Sequence, residues 1–236
     1  VDLGTILAGG VSVPIFDNIS DDHLGYELEH SEASFIFLDD KKNEKVFLEQ
    51  VEKKKLDKIK KINFDEIIAK GRKFQKDFKF QELMGDLKED DLATIIYTSG
   101  STDNPKGVML SHKNLISQVK DTAKVFDINI GEDIALSFLP MAHIFERMVM
   151  LFYMSRGISI NFVDDINLLG NYLREIKPTL MTSVPRMLEK VFAKINIGIE
   201  NGSFIKKFLG RKALKRALTK DVSASGNVVD VISVSY

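Results

Sequence analysis

The chain has 236 residues, 44% of them hydrophobic and 28% charged, with 33 basic side chains against 34 acidic ones. That length is enough to bury a sizeable core in one large domain or two small ones, and the near-neutral balance excludes a global field that would draw in nucleic acid or anionic lipid. The absence of cysteine excludes a disulfide framework and thiolate metal sites, which points to a cytoplasmic protein.

Taken in order, Val1–Gly9 reads as the tail of an apolar helix, Gly9-Gly10 as its stop, and Val11–Phe16 as a short strand broken by Pro14. A helix pattern follows over 21–31 and a compact apolar strand over 34–38. Residues 41–61 interleave Val46, Phe47, Val51, Leu56 and Ile59 with many Lys at helical spacing. This is the pattern of a solvated helix, since a nucleic-acid patch would want aromatic or Arg partners. Residues 65–91 are polar, lean towards helix and carry no recognisable chemistry. Strands alternating with helices predict an α/β fold, doubly wound around a mostly parallel sheet. No apolar run reaches the eighteen or so residues of a membrane span, and the N-terminus has no charged leader ahead of an apolar core.

The chemistry concentrates between two short β-leaning runs, Ala93–Tyr97 and Val108–Leu110. The turn between them, Thr98 to Gly107, holds the hydroxyls of Thr98, Ser99, Ser101 and Thr102, together with Gly100, Pro105, Lys106 and Gly107. Glycines give close approach and positive φ, while successive amides, hydroxyls and one ammonium group are the parts of a polyphosphate cradle. Its order differs from the common P-loop, because Pro precedes Lys106 and Gly follows it. On residue types alone, a hairpin loop rich in turn formers is an equal alternative. Ser111 reads as the N-cap of a helix continued by Leu115, Ile116, Val119, Ala123 and Phe126.

The stretch "YTSGSTDNPKGVMLSHKNL" resembles the signature of the adenylate-forming superfamily. Downstream, "LSFLPMAHIFERMVM" is similar to the next motif of that superfamily in its long-chain acyl-CoA synthetase form, and "KPTLMTSVPRMLEKVFAKI" resembles the strand and helix after it. The resemblance covers about residues 1–195 and implies a chain that is an incomplete copy of an N-terminal domain. It also implies two-step chemistry: a fatty acid carboxylate attacks the α-phosphate of ATP, with Mg2+ present, and the thiol of coenzyme A then displaces AMP. On the matched positions, Thr98, Ser99, Gly100, Ser101, Thr102 and Gly107 would hold phosphates and Lys106 would offset their charge. His143 would lie near the acyl carboxylate, with Glu146 and Arg147 bracing its helix as a structural ion pair. The methionines of the following run suit a core or the wall of an acyl channel.

Two departures stand out. Asp103 occupies a position where the superfamily has Gly, and a carboxylate about 4 Å from a phosphate is opposed by roughly 1 kcal/mol in water and about 4 kcal/mol at an effective dielectric of 20. The second departure is the absence of the superfamily's Tyr-Gly-x-Thr-Glu segment, its ribose-binding Asp and its C-terminal catalytic Lys. The metal ligands are therefore unknown. The expected organisation is a partial AMP-binding domain over 1–199, then a basic amphipathic helix and tail over 200–236 that would suit peripheral membrane contact. The alternatives to a ligase are a nucleotide-binding module without turnover and a lipid-surface protein with a degenerate loop.

Overall fold

The computed structural model describes residues 1–38, 41–74, 79, 85–98 and 104–219. They form two compact units, one built from 1–130 with 140–158 and the other from 131–139 with 159 onward.

The first unit opens with α1 (Asp2–Leu7), which stops where Gly9 turns left-handed at φ 76°. The strand expected over Val11–Phe16 is reduced to a single parallel bridge, in which Ser12 N donates to Ala93 O and Ser12 O accepts from Ile95 N. Pro14 has no N–H to continue the ladder. Helix α2 (Asp21–His30) is capped by the Ser20 hydroxyl and leads to β1 (Phe35–Phe37). Helix α3 (Lys41–Lys54) then crosses to β2 (Lys60–Ile62), which pairs with β1 in parallel. The apolar positions that interrupt the lysines explain this crossover: Phe47 is buried with Leu24, Leu28 and Ile36, while Val46 and Val51 pack beside them. The lysines stay outside, Lys53 on Asp22 and Lys54 on Glu29. Helix α4 (Phe64–Phe74) buries no residue.

Strand β3 (Leu92–Thr98) and strand β4 (Lys106–Ser111) form an antiparallel hairpin. Helix α5 (His112–Val125) starts at Ser111 as expected, with a reciprocal cap in which the Ser111 hydroxyl accepts from Asn114 N and the Asn114 amide oxygen accepts from Ser111 N. Helix α6 (Ile144–Ser155) completes the unit, where Met148 and Leu151 pack on Ile6, Ala93 and Leu115.

The second unit is a three-stranded parallel sheet in the order β6–β5–β7, from β5 (Ile134–Ser137), β6 (Ser159–Phe162) and β7 (Leu180–Met181). Strand β5 lies at its centre with Ala135 and Leu136 fully buried. Helix α7 (Leu169–Ile176) joins β6 to β7, and α8 (Pro185–Glu200) starts on Pro185, whose missing N–H costs nothing in a first turn. Helix α9 (Phe204–Thr219) is the basic helix expected from the sequence, but its apolar residues do not gather on one face. Arg211 and Lys215 follow Phe204 by spacings that put them on its own side of the helix, while Leu209 falls on the other. Every described strand pairing is parallel except the hairpin, so the architecture is α/β with mostly parallel sheets.

Candidate functional site

The hairpin fixes the two ends of the phosphate-loop candidate. Thr98 closes β3, Lys106 opens β4, and the two lie directly opposite each other with both side chains exposed. Behind them Pro105 is buried and Tyr97 faces Gly107. The expected contribution of Gly107 needs correction: it lies in extended strand without positive φ, and its value is packing. A Cβ there would sit 2.9 Å from Ile95 Cγ2 and 3.4 Å from the Tyr97 ring. Ser99, Gly100, Ser101, Thr102 and Asp103 lie outside the described residues.

His143 is the residue before α6. Its imidazole is exposed, contributes no cap to the helix, and meets the Phe16 ring edge-on at 4.6 Å. One turn further, Arg147 is 1% exposed. Arg147 forms an ion pair with Asp2 at the other end of the chain's first unit: Nη2 donates to Asp2 Oδ1 at 2.5 Å and Nη1 donates to Thr94 Oγ1 at 2.5 Å. Thr94 passes its own hydroxyl proton to Ser12 O at 2.6 Å, and the Ser12 hydroxyl donates to Asp2. Burial pulls the Arg147 pKa down while the Asp2 carboxylate holds it up, so the charge is kept by its partner.

This clamp ties α6 to β3: Arg147 meets Thr94, and Met148 and Leu151 of the same helix pack against the cluster of Ile6, Ala93 and Leu115. Sequence reading missed Asp2, Ser12 and Thr94. The available signals were one acid in the apolar helix "VDLGTILAG" and one hydroxyl inside the apolar run "ATIIY".

A small cavity of about 240 Å³ opens between α5 and α6, lined by Leu110, Leu115, Ile144 and Met148 with Asn114, Ser117 and Gln118 around them. Ile144 is the neighbour of His143, so the cavity begins next to the imidazole's helix turn. Among the described residues no three His, Asp or Glu side chains converge on a point that would hold a metal ion.

Residues 1–234 match the model of a family described as AMP-binding enzyme. Long chain acyl-CoA synthetase 4 of Arabidopsis thaliana is 30% identical over 222 residues, covering 84% of this chain and 32% of its own length. Long-chain-fatty-acid–CoA ligase 1 of Cavia porcellus is 35% identical over 206 residues, covering 78% of this chain and 29% of its own. The chain thus spans about a third of the length of the curated relatives it matches. Among solved structures, VinN with L-aspartate superposes with a TM-score of 0.68 at 22% identity, over 85% of this chain and 49% of that one. The o-succinylbenzoate coenzyme A synthetase of Bacillus subtilis in complex with ATP and magnesium ion gives 0.62 at 20% identity, over 83% of this chain and 38% of that one. At these identities the likeness in shape speaks for the fold.

Proposed function

The chain belongs to the AMP-binding enzyme family, and from that membership we propose that it forms part of an ATP-dependent long-chain fatty acid–CoA ligase. The reaction begins when the fatty acid carboxylate attacks the α-phosphate of ATP to give an acyl-adenylate and pyrophosphate. The thiol of coenzyme A then attacks the acyl carbon and releases AMP. The first step gathers negative charge around phosphorus, so it depends on positioning and on charge neutralisation more than on proton transfer, while in the second the thiol gives up its proton as the acyl–oxygen bond to AMP breaks. Mg2+ would supply further neutralisation of the phosphates; among the described residues no three His, Asp or Glu side chains converge to hold it.

The single observation that carries this reading is the pairing of Thr98 with Lys106 at the loop end of a hairpin that is clamped through Thr94 to the helix following His143. Thr98 would donate its hydroxyl to a terminal phosphate oxygen, and Lys106 would place its ammonium group beside the same phosphates. The His143 imidazole would orient the incoming carboxylate. The cavity between α5 and α6, apolar and partly walled by the flexible Met148, supports an acyl chain as the group activated.

The test has two arms. Calorimetric ATP binding by this chain, compared with Lys106→Ala, probes the phosphate half, and equal affinities in the two would overturn it. Fatty-acid-dependent exchange of pyrophosphate into ATP by the full-length protein that contains this chain probes the acyl half. ATP binding without exchange would select the second reading, a nucleotide module without turnover, which Asp103 in place of the superfamily's Gly favours.

A further inference from the structure

The hairpin that presents Thr98 and Lys106 has only two strands, and among the described residues its outer strand β4 is paired on one side. Two-stranded ribbons are marginally stable by themselves and rely on contacts with the rest of the fold. At the far end the Ser12 bridge and the Arg147 clamp give β3 that support. Close to the loop the support comes from elsewhere. Tyr97, the residue before Thr98, is 5% exposed, and its hydroxyl lies 2.8 Å from Nδ1 of His30 in the last turn of α2. His30 is stacked on Tyr26 with ring centres 5.1 Å apart, and Tyr26 in turn meets Tyr97 edge-on at 6.5 Å. The Tyr97 ring also lies against the backbone of Gly107 across the hairpin, where there is no Cβ to push it away.

We propose that His30 is a positioning residue that acts through Tyr97 to fix the Thr98 end of the loop for the phosphates of the nucleotide. The inference rests on the nucleotide reading given above and deepens it, because it assigns a role to a helix that carries no phosphate ligand. Burial pushes the Tyr97 phenol up to about 12, against a lowering hydrogen bond with the Ser31 side chain, so the phenol keeps its proton, and its hydroxyl shares one hydrogen bond with His30 Nδ1. The next peptide group after Tyr97 is that of Thr98, so a ring held on three sides also holds the first residue of the loop.

ATP affinity measured by calorimetry on the chain tests this. Tyr97→Phe removes only the hydroxyl and is expected to weaken ATP binding about fivefold, the loss of one modest hydrogen bond. His30→Leu removes the Nδ1 partner together with the ring contacts to Tyr26 and Tyr97, and is expected to weaken binding at least as much, with the double variant no worse than His30→Leu alone. His30→Asn, whose side-chain oxygen reaches the place of Nδ1, is expected to restore most of the affinity. Glu29→Ala, on the same helix as His30, releases Lys54 of α3 without touching Tyr97; it serves as the control and leaves affinity unchanged. Equal ATP affinity in the wild type and Tyr97→Phe would overturn the proposal, as would a Glu29→Ala loss matching that of His30→Leu. A wild-type chain that fails to bind ATP at all would overturn the nucleotide reading first and this inference with it.

Discussion

Two arginines in this molecule each hold a carboxylate, and their geometries rank opposite to their expected worth. Arg211 on α9 forms the better fork, with Nε on Glu200 Oε1 at 2.9 Å and Nη2 on Oε2 at 2.8 Å. Its side chain is 66% exposed and that of Glu200 49%, so water and salt screen the pair, and its contribution is about 0–1 kcal/mol. Arg147 uses one nitrogen on Asp2 and another on Thr94, and its Nε has no partner among the described residues. Yet it is almost completely enclosed. Taking away a partner there strands a charge in a poor solvent. The difference teaches that burial sets the scale of an ion pair, with the shape of the contact second.

The sharpest way to break that comparison is Asp2→Ala, which leaves the Arg147 charge enclosed without its counter-ion. It is expected to destabilise the chain by about 3–5 kcal/mol in urea unfolding, whereas Arg147→Met, which removes the charge as well, is expected to cost less. Glu27 sharpens it from the other side. This carboxyl is 4% exposed, and burial pushes its pKa up to about 7 from an ordinary 4.5, so it escapes an enclosed charge by taking a proton. The folded state then binds that proton more tightly than the unfolded state. The resulting stability is fully present below pH 4.5 and is lost as pH rises through 7, by about 3 kcal/mol. Unfolding midpoints at pH 5 and pH 8 should show this fall in the wild type and not in Glu27→Gln.

Gly107→Ala tests whether enclosure matters without any charge. One methyl group set 2.9 Å from Ile95 Cγ2 is expected to cost about 1–3 kcal/mol and to displace the Tyr97 ring, with a matching fall in ATP affinity. At the bottom of the range, Arg211→Ala should change the unfolding midpoint by less than about 1 kcal/mol, and raised salt should shrink even that. A loss as large as that from Asp2→Ala would end the comparison.

Much of the fold was legible because its cues are local. Gly9 stops α1, Ser20 and Ser111 cap α2 and α5, and the apolar spacing of Phe47 and Val51 marks α3. What escaped depends on pairs distant along the chain. Asp2 and Arg147 are separated by 145 positions, and Thr94 and Arg147 by 53, so nothing in either neighbourhood announces the contact. Strand β2 was hidden in the lysine-rich helical pattern, since a three-residue parallel strand with two exposed lysines has no alternation of its own. In the site, Thr98 and Lys106 were legible as residue types, and their direct opposition followed from the strands on either side. His30 and Tyr97 were not, because a lone histidine ending a surface helix looks like a cap residue.

Strand β4 turns Met109 outward at 69% exposure, across from Ile95 and two residues beyond Gly107. A thioether so placed is open to peroxide, and conversion to the sulfoxide would make the outside of the hairpin polar while Ile96 and Ala93 stay sheltered on the other strand. Chemical ageing of a stored sample should therefore register early at Met109, as an oxygen adduct in the peptide that contains it, before the protein loses its fold.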